Sequence, residues 1–169
     1  MGTDMLKALQ YSSHIPVLIK ALRMTEGAVL EMGAGFFSTP VIHWLCIPNR
    51  RYVTTLESNT QFLELAMNFK DTYHKVQSVK DWEAAEIDGN WGMAFIDHDP
   101  AGKRRRDIAR LADCAGLIVL HDTSPAQGHS FGYAEIYPLF KYVYHYWDVF
   151  PGTSMLSNSI DLDGIDIFE

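Results

Sequence analysis

Short strand-patterned runs, the clearest of them continuously apolar, recur five times between residues 28 and 121, and helix-patterned stretches separate most of them. Few architectures accept that rhythm. A strand hidden on both faces reads as a continuous apolar run, and an amphipathic helix between two such strands carries the chain back over the sheet. The rhythm therefore predicts an open, mainly parallel sheet with helices on both faces.

Ala28 to Met32 is the first run, closed by Gly33, and Tyr52 to Glu57 is the second. His74 to Val79, Met93 to Asp97 and Leu117 to His121 complete the set. Ser38-Thr39-Pro40 supplies a helix start with proline in the first turn, and Pro48-Asn49 supplies its end. Residues 59–69 read as a helix with Phe62, Leu65, Ala66 and Phe69 on one face, and 105–113 as another with Ile108, Leu111 and Ala112 inward. Residues 1–27 form an N-terminal helical segment carrying Met5, Leu6, Leu9, Val17, Leu18 and Leu22, with Pro16 dividing it near Ser13. After Asp122 a glycine- and serine-bearing loop leads to an expected helix near 132–141. Two β-rich runs, 144–150 and 154–157, follow with Pro151-Gly152 between them, which is a hairpin signal. A single domain over 1–169 with its core at 28–158 is expected.

Composition narrows the function. The formal net charge is -7, whereas a general nucleic-acid binder needs a positive face for phosphates. No apolar run approaches the roughly 20 residues of a bilayer span, and no signal peptide is read at the start. Cys46 and Cys114 make no disulfide framework, so a reducing, cytoplasmic setting is expected.

In sheets of this kind ligands bind beyond the carboxyl ends of the strands, where strand order reverses. The first strand ends in Glu31-Met32-Gly33-Ala34-Gly35, whose glycines allow a sharp turn and close approach to a ligand. The helix beginning at Ser38 points its N-terminus at the same place. The second strand ends in Glu57-Ser58, and an acid 22 residues past Gly35 can accept hydrogen bonds from a ribose. The third is followed by Asp81-Trp82, an acid beside an aromatic. The fourth and fifth end in Asp97-His98 and His121-Asp122-Thr123. Carboxylates gathered in a crevice call for a ligand, a proton or a cation. Lys103 to Arg106 is a basic run at a helix start and reads as a solvated face.

The succession Val29-Leu30-Glu31-Met32-Gly33-Ala34-Gly35, Thr55-Leu56-Glu57, Asp81-Trp82 and Phe95-Ile96-Asp97 resembles the class I S-adenosylmethionine-dependent methyltransferases. The Phe-Ile-Asp-His and Val-Leu-His-Asp-Thr strand ends resemble the small O-methyltransferase branch, and the resemblance spans roughly residues 28–158. It implies a Rossmann-like, doubly wound, seven-stranded sheet with an antiparallel C-terminal hairpin. It implies that Glu31, Gly33, Ala34, Gly35 and Ser38 surround the methionine part of the cofactor. Glu57 and Ser58 would hold the ribose, Asp81 and Trp82 would flank the adenine, and Asp97 would lie near the sulfonium. The absence of a third glycine at Ser38 argues against a nicotinamide dinucleotide site.

Methyl transfer to a hydroxyl needs positioning and a way to lose the proton. One route makes His98 or His121 the general base. The other has Asp97 and Asp122 hold a divalent cation such as magnesium, as the catechol-type branch does. This chain departs from that branch at Thr123, where the branch has an amide. The expected activity is methyl transfer to a small-molecule acceptor, without nucleic acid or membrane as partner. A protein that binds the cofactor without catalysis, and a nicotinamide-dependent oxidoreductase, are the competing readings. The chain is short for the family, so the 123–133 loop, the N-terminal segment or a second subunit of a homo-oligomer would complete the acceptor pocket.

Overall fold

The structure is a computed structural model that describes residues 10–169. Met5, Leu6 and Leu9 lie outside the described residues. The sheet has seven strands: β1 (Ala28–Met32), β2 (Val53–Glu57), β3 (His74–Ser78), β4 (Trp91–Ile96), β5 (Ala115–His121), β6 (Tyr142–Tyr146) and β7 (Thr153–Ser157). Their spatial order is β3-β2-β1-β4-β5-β7-β6. The first five pair in parallel, while β7 pairs antiparallel to both β5 and β6. The fold is thus the expected Rossmann-like, mainly parallel sheet with a C-terminal antiparallel hairpin. Strand order reverses between β1 and β4, so the crevice at their carboxyl ends is the switch point.

The period-2 alternation of side chains divides the core into two layers. On one face Val29, Val53, Met93, Phe95, Leu117 and Val119 pack beneath α1 (Ile15–Met24) and α2 (Ser38–Cys46). On the other, Leu30, Met32, Ala94, Ile96, Ile118 and Leu120 pack against Trp82, Ile87 and Tyr133. Ile108 and Leu111 of α4 (Arg104–Leu111) join this second layer. The helix α3 (Thr60–Met67) is capped by Asn59, whose side chain accepts the N–H groups of Gln61 and Phe62. The chain beyond 158 also joins the first layer, with Leu162 and Ile167 buried there.

Two expectations are corrected. The helix awaited near 132–141 is an earlier one, α5 (Pro125–Phe131), followed by short 3-10 turns at Tyr133–Glu135 and Tyr137–Leu139. Gly132 takes φ 72° and ends α5 in the left-handed region, and Pro138 has no N–H with which to continue a helix. The sixth strand runs from Tyr142 rather than Tyr144 and ends at Tyr146, before the turn through Pro151-Gly152. Among the described residues no helix is long and apolar enough to cross a membrane.

Candidate active site

The turn after β1 is locked to both neighbouring strands. Gly33 has φ 95°, and a Cβ there would stand 2.6 Å from the backbone nitrogen of His98. Only glycine lets the β1 turn lie so close to the end of β4. Ala34 donates its N–H to Oε2 of Glu57 at 2.7 Å. Oε1 of the same carboxylate accepts the N–H groups of Ser58 at 2.7 Å and Asn59 at 2.6 Å. Glu57 therefore ties the β1 turn to the start of α3 and keeps lone-pair capacity on Oε2 for one further donor. A ribose hydroxyl fits that remaining capacity.

Glu31 is wholly buried beneath the turn. Its oxygens accept from the Thr39 hydroxyl at 3.0 Å and from the Thr55 hydroxyl at 2.7 Å. Burial pushes its carboxyl up to about 7, against hydrogen bonds from Thr55, Ser38 and Thr39 that pull it down. Thr39 also accepts the N–H of Gly35 at 3.1 Å, so it fixes the second glycine. Sequence reasoning marked Ser38 and passed over Thr39, which falls one residue deeper in the helix. Thr55 continues the chain of polar groups, 2.8 Å from Nε2 of His74, whose Nδ1 lies 3.0 Å from Nδ1 of His43.

Trp82 lies apart from the crevice surface. It is buried, its ring stacks on His98 at 4.1 Å, and its Nε1 donates to the carbonyl of Asp99. Asp81 is exposed instead, where it caps the following turn through the N–H of Glu83 and pairs with Lys103 at 3.5 Å. Asp81 thus remains available to a ligand edge, whereas the Trp82 face expected for adenine is covered by His98. His98 is likewise turned into the core. Its Nε2 stands 2.9 Å from Oδ2 of Asp107, at ion-pair distance but not aligned as a hydrogen bond. Neither a general base nor a substrate contact is available from that position.

The expected pair of cation ligands is arranged differently from the reading of the sequence. Arg104, buried, places NH2 3.0 Å from Oδ1 of Asp97 and NH1 3.0 Å from Oδ2 of Asp122. It also donates to the carbonyls of His98 and Asp97. The solvated-face reading of Lys103 to Arg106 is therefore corrected at Arg104. The signal was present: Arg104, Asp107, Ile108 and Leu111 fall at i, i+3, i+4 and i+7, one face of a helix. A magnesium ion bridging Asp97 and Asp122 would have to displace this guanidinium, so these donors do not fit one. Thr123 does not restore the site, since its hydroxyl accepts from Ser154 at 2.8 Å and lies 3.4 Å from the Trp147 N–H. Asp122 adopts φ 61°, which turns the chain out of β5 and swings its carboxylate toward Arg104.

His121 does face the crevice. Its Nδ1 lies 3.1 Å from Oδ2 of Asp97 and its Nε2 lies 2.9 Å from the Ser13 hydroxyl. Burial alone would lower its pKa, but the charges of Asp97 and Asp122 prevail and raise it. Burial would likewise raise Asp97, and His121 and Arg104 prevail to hold it below the usual carboxylate value. His14 packs against the same group, 4.8 Å from the His121 ring centre and 5.0 Å from that of Phe95. Burial and neighbouring His121 lower it to about 3, although Asp97 pulls the other way. The structure thus joins Asp97, His121 and Asp122 at one place, adds Ser13, His14 and Arg104, and removes His98. A cavity of about 570 Å3 lies at the opposite ends of the strands, lined by Leu22, Gly27, Asn49 and Arg51, away from all these groups.

No family model and no curated protein matches the sequence. Solved structures do match the fold. The SAH-bound methyltransferase PaMTH1 of Podospora anserina is 11% identical with a TM-score of 0.66, over 85% of this chain and 76% of that one. The O-methyltransferase TomG of Streptomyces achromogenes, in complex with SAM, is 12% identical with a TM-score of 0.63, over 90% and 89%. Cofactor-bound Rv0187 from MTB is 17% identical with a TM-score of 0.65, over 95% and 82%. The seven-stranded order, the antiparallel last strand and the glycine turn at the switch point together give this chain the fold of the class I S-adenosylmethionine-dependent methyltransferases.

Proposed function

We propose that the protein transfers a methyl group from S-adenosylmethionine to a hydroxyl of a small molecule. The observation that carries this reading is the convergence of the Gly33–Gly35 turn, Glu57 and the Asp97–His121 pair on the carboxyl ends of β1, β2, β4 and β5. When bound, the cofactor supplies an electrophilic methyl on a sulfonium. The glycine turn brings the chain round to the N-terminus of α2, which would face the cofactor's carboxylate, and Glu57 would accept from its ribose. The acceptor hydroxyl enters beside Asp97. The Asp97–His121 pair would take up the proton that the acceptor hydroxyl gives up on methylation.

That pair suits the task. Ser13 commits its hydroxyl hydrogen to the carbonyl of Gln10 at 2.9 Å, so it accepts from Nε2–H of His121. Nδ1 of His121 and Oδ2 of Asp97 are then two acceptors facing each other, a place that takes up a proton readily. Arg104 holds Asp97 from the other side and keeps the pair in register. The test is calorimetric titration with the donor S-adenosylmethionine and with its demethylated product S-adenosylhomocysteine, followed by methyl transfer to a panel of hydroxylated acceptors. Micromolar binding and product formation would support the reading. Binding without transfer to any acceptor would leave a cofactor-binding protein, and no binding of either compound would remove the cofactor itself.

A further inference from the structure

We infer that His14, Asp97 and His121 form a binding site for a divalent transition-metal ion of the zinc type. Each offers one ligand atom, and the three atoms lie within 4.8 Å of one another. Two imidazoles and a carboxylate are the donor set of a borderline ion, whereas magnesium favours oxygen ligands and water.

Two independent observations point to an ion there. The first is His14. It is 3% exposed, and neither ring nitrogen has a hydrogen-bond partner. A buried imidazole with both nitrogens unsatisfied is costly, and a metal bond is one of the few ways to satisfy it. The second is the proton count at His121. Ser13 donates to Gln10 and so fixes the hydrogen of His121 on Nε2. Nδ1 then presents a lone pair to Oδ2 of Asp97 at 3.1 Å, and that contact is attractive only with a positive charge between the two. Ser13 in turn is the kind of outer partner that orients a ligating histidine through its other nitrogen.

The surrounding charges agree. Asp97 and Asp122 contribute two negative charges and Arg104 one positive charge, all in contact. Oδ1 of Asp122 is 3.8 Å from Nδ1 of His121. Arg104 occupies Oδ1 of Asp97 and leaves Oδ2 to the histidines. The guanidinium that excludes magnesium from the Asp97–Asp122 pair therefore does not exclude an ion on the histidine side. The ion would occupy the same Nδ1 and Oδ2 lone pairs that take up a proton under the proposed function, so ion and proton are alternatives at this place, and ion binding is read on the protein alone, without cofactor or acceptor.

The test is titration of chelator-stripped protein with Zn2+ and with Co2+, without cofactor or acceptor. One equivalent of Zn2+ should bind at micromolar concentration or below and raise the thermal midpoint. Co2+ should give visible ligand-field bands that Zn2+ abolishes and excess Mg2+ does not. His14→Phe keeps the ring against Phe95 and removes the ligand. It should melt like the wild type without metal and weaken Zn2+ binding by about tenfold or more. Failure of the wild type to bind one equivalent would overturn the site and leave Asp97–His121 as a proton-bridged pair. Equal affinity in His14→Phe would overturn it too, by placing the bound ion elsewhere.

Discussion

Arg104 stands 3.0 Å from Asp97 and binds it from the side opposite His121. A second contact of 3.0 Å ties the same guanidinium to Asp122. The ends of β4 and β5 are thus held together by one cation that reaches in from α4. Replacing it by Met leaves two partly buried carboxylates facing each other without their counter-charge. Removing one partner of a buried ion pair costs about 3–5 kcal/mol. Arg104→Met should therefore lower the denaturant midpoint by an amount in that range. Arg104→Lys should recover only part of it, because an ammonium cannot present two parallel forks. A loss below about 1 kcal/mol, the range of exposed pairs, would mean that solvent reaches the cluster.

Glu57 gives a prediction with two readouts. Its carboxylate accepts three backbone N–H groups, from Ala34, Ser58 and Asn59. Glu57→Ala strands those donors and should destabilise the fold by about 1–3 kcal/mol or more. The same change should weaken S-adenosylmethionine binding, because the ribose loses its acceptor. Titration calorimetry below the melting range of the variant separates the two effects. A destabilised protein with unchanged affinity would make Glu57 a clasp for the β1 turn and nothing else.

Gly33 is the position with least tolerance. A Cβ would stand 2.6 Å from the His98 nitrogen and 2.7 Å from the Asp97 carbonyl carbon, and the backbone sits at φ 95°. Both neighbours are main chain, so no side chain can move aside. Gly33→Ala should cost more than the roughly 1 kcal/mol typical of a point substitution. Gly35→Ala meets only the Ser38 hydroxyl, at 3.1 Å, and should be milder. Thermal melts of the two variants check the order, and a more stable Gly33→Ala than Gly35→Ala would contradict the packing described.

The central strands were legible because burial on both faces makes β1, β4 and β5 largely apolar runs, and β1 spans Ala28 to Met32 as the sequence indicates. The strand-end residues followed from the topology, since parallel strands deliver their last residues to one edge. Side-chain direction was not legible. Trp82 and His98 sit in the right segments, yet they stack on each other inside the core. Arg104 was hidden within a basic run whose other members, Arg105 and Arg106, do form exposed ion pairs with Glu135 and Glu83. Ser13 and His14 are joined to His121 across 108 and 107 residues of sequence, a contact no local pattern announces.

Glu31 connects the buried polar chain to pH. Its carboxyl is raised from 4.5 to about 7, chiefly by burial. The native state then binds more protons than the unfolded state between these values, so this group's contribution is fully present below pH 4.5 and is lost as pH rises toward 7. The loss is roughly 3 kcal/mol, from 1.36 kcal/mol per unit. His74 acts in the opposite sense: burial, with His43 second, lowers it to about 4, so its contribution grows as pH rises from 4 to 6.5. The two partly cancel in the wild type, which makes the raw pH profile uninformative. Glu31→Gln isolates the carboxyl, because the amide oxygen can accept from the Thr39 and Thr55 hydroxyls without ionising. The stability of the wild type minus that of Glu31→Gln, measured by urea unfolding, should fall by a few kcal/mol from pH 4.5 to 7 and level off above it. A flat difference across that interval would show that Glu31 ionises in the folded protein as it does in the unfolded chain.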